Sequence, residues 1–204
     1  MAFTNYTSFV TTVQNYLGRD DLTTAIPDFI ELGQHRITRD LRVQEMLKSS
    51  TASTIAGDST IAFPTDMLEI RDIHIQGTPN YELEYQTPND FYRNDLATTS
   101  GTPRYFTMIG KEFVFAPVPD GTQTLQILYY AKPTFISTTT ASNVYLANFP
   151  DALLYATLAE TEPYLMNDAR IQTWASLYDR AIQSIRANDK GATYPNTSLN
   201  VTTR

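Results

Sequence analysis

Two histidines, a scatter of acids and one arginine series are the side chains whose types and spacing invite a chemical reading. His35 sits beside Arg36 on a polar helix face, and His74 lies between two alternating isoleucines on a strand. Neither has a cysteine or an H-E-x-x-H pattern near it, so no metal site is recognisable and both read as surface or capping residues. Glycoside cleavage needs two carboxyls roughly 5–9.5 Å apart, one in an apolar pocket that raises its pKa. Glu160 and Glu162 are two apart on a helix and point in different directions, while Asp20-Asp21 suits a helix cap. No Walker or G-x-G-x-x-G loop occurs among the eight glycines, which leaves nucleotide binding without support. The absence of cysteine excludes disulfides, Cys-based zinc sites and thiol nucleophiles, and suits a reducing cytoplasm.

Arg36, Arg39 and Arg42 recur at i, i+3 and i+6 with Asp40 nearby. Phosphate contact is one reading of that face; a partner interface, or an intrahelical pair such as Arg36–Asp40, is the better one. Fifteen Lys+Arg against 22 Asp+Glu leave a net charge of −7, which opposes general affinity for phosphate backbones. Thirteen tyrosines and ten phenylalanines without a basic neighbourhood indicate core or protein interface rather than base stacking. With 42% hydrophobic and 18% charged residues over 204 positions, the chain is globular and able to bury about 70% of its surface. The N-terminus has no basic and apolar leader pattern, and no apolar run approaches the roughly 20 residues that cross a bilayer. A soluble cytosolic protein without a membrane partner or cofactor is expected.

The period of the apolar residues changes twice. Tyr6, Phe9, Val10, Val13 and Leu17 recur at helical spacing up to a stop at Gly18. Asp20 or Asp21 then caps a new turn, Pro27 fits the first turn of a longer helix, and Ile26, Ile30, Gly33, Ile37 and Leu41 form a buried stripe running to about Leu47. From about Ser50 to Pro133 the period becomes two. Leu68, Ile70, Ile73 and Ile75 predict a strand with a bulge near Arg71-Asp72, and Leu125, Ile127, Tyr129 and Ala131 alternate with Gln126, Leu128 and Tyr130. Shorter strands fit Thr51–Ile55, Thr60–Phe63, Tyr105–Ile109 and Glu112–Phe115, with one short helix from Pro88 through Leu96. Helical spacing returns with Leu153, Leu154, Thr157, Leu158 and Leu165. A further helix, capped by Asp168, carries Ile171, Trp174, Tyr178, Ala181 and Ile185.

These periods predict an α+β fold: a helical bundle from the N- and C-terminal helices (1–49 and 148–188) carrying an inserted antiparallel β-sandwich or barrel-like domain (50–147). An extended C-terminal tail, 189–204, completes it. The tail is rich in Thr, Asn, Gly and Pro and buries too little apolar surface to order itself. Its ordering therefore calls for a docking site on a neighbour, with Tyr194, Leu199 and Val201 as anchors.

Several segments in order resemble the head-to-tail adaptor (connector) proteins of podovirus-type tailed bacteriophages. They are Leu17-Gly18-Arg19-Asp20-Asp21-Leu22, Ile26-Pro27-Asp28-Phe29-Ile30-Glu31-Leu32, and Arg36-Ile37-Thr38-Arg39-Asp40-Leu41-Arg42. Phe63-Pro64-Thr65-Asp66-Met67-Leu68-Glu69-Ile70-Arg71 and Gly101-Thr102-Pro103-Arg104-Tyr105-Phe106-Thr107 come next. The series closes with Phe115-Ala116-Pro117-Val118-Pro119-Asp120-Gly121, Tyr129-Tyr130-Ala131, and Tyr164-Leu165 with Asp168-Ala169-Arg170, Trp174 and Tyr178. The resemblance spans Tyr6 to about Ile185 and implies a structural virion protein, not an enzyme. What it implies is a ring of twelve copies below the portal that extends the DNA channel and offers a platform to the tail tube or nozzle. The implied place is the head–tail junction, after assembly in the host cytoplasm, with DNA passing unbound through the lumen. A virion-associated peptidoglycan hydrolase on the same subunit is the alternative, and a small nucleic-acid-binding module is a third reading that the acidic balance disfavours.

Overall fold

The structure, a computed structural model, describes residues 3–19, 21–93, 99–165 and 169–193. In chain order these form α1 (Tyr6–Leu17), α2 (Ile26–Asp40), a 3-10 turn (Gln44–Met46), β1 (Leu47–Ser53), β2 (Thr60–Ala62), β3 (Met67–Ile75), β4 (Tyr81–Glu82) and β5 (Glu84–Tyr85). Then come α3 (Pro88–Arg93), β6 (Ser100–Gly101), β7 (Tyr105–Ile109), β8 (Glu112–Ala116), β9 (Val118–Pro119) and β10 (Thr124–Ala131). Four helices end the chain: α4 (Val144–Asn148), α5 (Pro150–Ala159), α6 (Glu162–Leu165) and α7 (Arg170–Thr193). Contacts divide it into a helical unit, Met1–Met46 with Pro133–Arg204, and a β unit, Leu47–Lys132. Among the described residues no helix is long and apolar enough to cross a membrane.

The helical unit is built on α5. Its sequence Pro-Asp-Ala-Leu-Leu-Tyr-Ala-Thr-Leu-Ala is apolar on nearly every side, the mark of a helix enclosed by others, and residues 152–154 and 156–159 are all buried. It packs against α1, α2, α4 and α7. Helix α2 presents Ile26, Ile30, Gly33 and Ile37 to the interior as the spacing predicts. At Gly33 the approach is closest: a Cβ there would stand 2.9 Å from the Thr157 backbone nitrogen and 3.0 Å from its Cα. Helix α1 starts on a capping box, Asn5 Oδ1 accepting from the Ser8 N–H and Ser8 Oγ from the Asn5 N–H. It stops at Gly18 (φ +64°), whose N–H donates to Gln14 O, as anticipated.

The start and end of α2 differ from expectation. Asp20 lies outside the described residues and Asp21 caps nothing; it pairs with Arg19, and the helix begins at Ala25 without a side-chain cap. Pro27, in the first turn, removes one of the donors that a cap would otherwise serve. The helix ends at Asp40 rather than near Leu47, because Arg42 donates to Thr38 O (2.6 Å) and Leu41 O (2.7 Å) and so satisfies its last carbonyls. Leu41 and Val43, both buried, are two apart in extended chain, and Leu47 already pairs with Tyr130.

The segment 133–147 groups with the helices, not with the strands. Gln34, fully buried, accepts the Ile136 N–H at 2.7 Å and donates to Ile136 O at 3.4 Å, so a side-chain amide replaces a backbone partner. Asn143 donates to Gln34 Oε1 and Thr134 O, and its own Oδ1 accepts the Leu146 N–H to start α4. Tyr6 N–H reaches Ala141 O at 2.8 Å.

In the β unit, β1-β10-β3-β4 form one antiparallel sheet and β2-β8-β7-β5 another. The β3–β10 register steps from Leu128↔Asp72 to Tyr129↔Ile70, leaving Arg71 as the extra residue of the anticipated bulge. Leu125, Ile127 and Tyr129 of β10 share one core with Ile73 and Ile75 of the first sheet and Phe106, Phe113 and Phe115 of the second. No closed barrel forms among the described residues, since β1, β4, β2 and β5 end their sheets. Two short pairs, β5–β7 and β6–β9, are parallel, which the antiparallel expectation did not include. Helix α3 is described through Arg93, and residues 94–98, which include the rest of the helix expected through Leu96, lie outside the described set.

Gly33→Ala is expected to destabilise the protein by about 1–3 kcal/mol, because a methyl group meets backbone that cannot move alone. The same change in an open helix interior stabilises by roughly 0.5–1 kcal/mol. Urea denaturation reads the sign directly, and an unchanged or raised midpoint would mean that the crossing yields.

Candidate functional site

The histidines do not converge on anything. His35 sits 3.8 Å from Glu31 one turn earlier, and its ring stands edge-on to Phe135 at 4.7 Å. His74 Nε2 lies 2.6 Å from Asp72 Oδ2, its neighbour on one face of β3. No group of three or more metal-ligating side chains occurs among the described residues. Several acids are likewise occupied. Glu160 accepts from Arg36 at 3.2 Å, the side chain of Glu162 lies outside the described residues, and Asp21 takes both arms of Arg19. Hydrogen bonds from Arg19 hold the Asp21 carboxyl below the usual carboxylate range, and those from Thr60 do the same for Asp58. Asp66 is lowered by Lys48, 2.6 Å away, and by the Tyr129 hydroxyl, which donates at 2.9 Å. A glycosidase acid needs the opposite shift.

The arginine series separates into three roles. Arg36 reaches Glu160 on α5, and its guanidinium lies over the Tyr178 ring of α7 at 4.6 Å. The Arg36–Asp40 pair does not form: Asp40 instead accepts the Tyr178 hydroxyl, and its carbonyl accepts from Arg186. Burial first, then Asp40, push the Tyr178 hydroxyl far above its ordinary range, so it stays a donor. Arg42 closes the end of α2. Arg39 alone is exposed and makes no ion pair with a described residue. It shares the outer face of α2 with Asp28 and with Leu32, which is 48% exposed.

The tail anchors Tyr194, Leu199 and Val201 lie outside the described residues, as does Asp168. The last helix itself continues through Thr193, and Asp189 accepts the Gln44 N–H at 2.7 Å, so residues 189–193 belong to α7 rather than to the tail. Two surface features escaped the periodicity. One is a set of exposed tyrosines, Tyr81, Tyr85 and Tyr92, close in sequence on β4, β5 and α3 of the β unit. The only sequence sign was the Tyr-Glu-Leu-Glu-Tyr run, in which Leu83 alone is buried. The other is a cleft of about 350 Å³ in the helical unit, between the 3-10 turn, the start of α5 and the end of α7.

The family model described as SU10 adaptor protein matches residues 4–201. No curated protein matches the chain.

Two outcomes are expected from these contacts. Tyr178→Phe should cost about 1.5–3 kcal/mol, the worth of a hydrogen bond to a charged group, measured by thermal or urea unfolding; a loss near zero would mean Asp40 finds another donor. The second concerns acid. The folded pKa of Asp66 is below its unfolded value of about 3.9, so its contribution is complete above that pH and lost as pH falls through the folded value. Asp66→Asn should therefore flatten the loss of Tm between about pH 5 and 2 relative to the parent chain.

Proposed function

Because this chain belongs to the SU10 adaptor protein family, a family of phage structural proteins, we propose that it is the head-to-tail adaptor of a tailed phage. In this reading twelve copies form a ring below the portal, extend the DNA channel and give the tail tube or nozzle its platform. The observation that carries it is the family match over nearly the whole chain. The geometry supports it by what Arg36, Asp40, Glu160 and Tyr178 do: they join helices to one another. We read the two units as a helical bundle that carries a two-sheet insert. On that plan the outer face of α2, with Asp28, Leu32 and Arg39, is the contact between neighbouring subunits, since it lies opposite the buried isoleucines. On this reading the channel wall is mainly acidic or neutral, as a net charge of −7 per copy favours on average, and DNA passes without specific binding. Residues 194–204 dock on the portal through Tyr194, Leu199 and Val201. The protein is a virion component at the head–tail junction, assembled in the host cytoplasm, and acts without catalysis or cofactor.

Mass measurement of the purified protein, alone and with its portal, tests the assembly. The expected result is a ring of copies on the portal. A tight isologous dimer bound there would overturn it. Deleting residues 194–204 should leave the protein folded, because both cores remain. It should weaken portal attachment by roughly 1–3 kcal/mol per anchor. Equal binding by the truncated chain would remove the tail from the interface.

A further inference from the structure

The cleft beside the end of α7 has an apolar floor of Val43, Phe149 and Ile185 and a rim bearing Glu45, Asp151 and Asp189. Val43 is fully buried, and Phe149 and Ile185 are half-buried, so the floor belongs to the packed unit while one side stays open. The three carboxylates come from three elements: the 3-10 turn, the first turn of α5 and the last turns of α7. Helix α7 is described through Thr193, one turn beyond Asp189, so residues 194–204 follow directly on the part of the helix that walls this cleft.

The residue types beyond Thr193 suit such a cleft. Pro195 cannot continue a helical ladder, and a proline just past a helix end accompanies a change of direction. Leu199 and Val201 are two apart, the spacing that puts both on one side of an extended segment. Arg204 is the sole charged side chain in 194–204 and is opposite in sign to the rim. A segment of this length spans about 36 Å when extended, enough to turn back across the cleft.

We propose that this cleft is the binding site for residues 194–204 of the same chain. Leu199 and Val201 seat on the apolar floor, and Arg204 meets the acidic rim. A tether this short gives the chain's own segment a millimolar effective concentration, which favours it over the same segment of a free neighbouring copy. The inference does not rest on the portal reading: it concerns the isolated protein, and loss of portal binding on truncation is a separate result. If both hold, the portal draws the segment out of a preformed seat, and the affinity it needs is raised by the seat's own.

The test uses the full chain. Since the sequence has no cysteine, Ser184→Cys with Leu199→Cys supplies its two thiols, Ser184 being an exposed residue of the cleft wall. Oxidation should give an intramolecular disulfide, read as monomer mass less two hydrogens. In the parent chain, amide exchange of residues 194–204 should be slowed about tenfold or more relative to the same peptide free in solution. Ser184→Arg, which fills the cleft with a side chain of the wrong sign, should restore free-peptide exchange and lower Tm by no more than a few degrees, while the circular dichroism stays unchanged. Free-peptide exchange in the parent chain, or protection that survives Ser184→Arg, would overturn the proposal. Disulfide-linked dimers in place of cross-linked monomer would assign the segment to a second copy and overturn it equally.

Discussion

The backbone-to-backbone approach of α2 and α5 at Gly33 and Thr157 is the constraint on which the helical unit rests. With 2.9 Å between the place of a Cβ and the Thr157 nitrogen, no side chain larger than hydrogen lets the two helices meet as they do. That proximity sets the positions of the neighbours in sequence. Gln34 is carried inward, where an amide without a partner is costly, and it is matched by both backbone groups of Ile136. Thr38, one turn on, returns its hydroxyl to Gln34 O and meets Tyr145 OH at 3.0 Å. Each buried polar group on α2 thus recruits a specific later segment. Apolar packing alone would hold those segments with less directional preference.

The same helix uses its half-exposed side to hold α7. Arg36 spans Glu160 and the Tyr178 ring, while Asp40 takes the Tyr178 hydroxyl and, through its carbonyl, Arg186. Arginine suits this place because its planar group can stack on a ring and donate at its edge at once. Two more arginines close helix ends: Arg42 on α2, and Arg170, from the start of α7, on the Tyr16 and Leu17 carbonyls of α1. Cations there oppose the negative end of the helix dipole as well as supplying donors.

Period and punctuation were readable where one force decides the outcome. Gly18 at a positive φ, the outward and inward faces of β10, and the bulge at Arg71 each arise from local sterics or from a single buried face. Partner choice was not readable where two groups compete for a third. Arg36 and Asp40 stand one helical turn apart and invite a pair, yet Tyr178 lies 138 positions from Asp40 and wins it, because a buried hydroxyl loses more without a partner than an exposed ion pair gains. The return of 133–147 to the helices was hidden for the same reason. It hangs on Gln34, a residue whose type carries no sign of burial. The end of α2 was readable in principle, in the change from a spacing of four between Ile37 and Leu41 to two between Leu41 and Val43.

These internal uses of charge bear on the surface that the protein presents to solvent. At physiological salt an exposed charge acts over about 8 Å, so a net charge of −7 says little about any one surface. What matters is which ionised groups reach solvent unpaired. Arg36 is answered by Glu160, and Arg42, just past α2, is turned back onto the last turn of that helix, so two of the three arginines of the series present little free positive field. Asp21 and Asp66 are answered in the same way by Arg19 and Lys48. The pairing removes cations and anions alike, so it leaves the surplus of acid unchanged. Arg39 is the exception on α2, and a lone cation on an outward helix face beside Leu32 suits a contact with an acidic neighbour better than a grip on phosphate. Each structural arginine is thus committed to the fold and leaves little cation for a polyanion to grip.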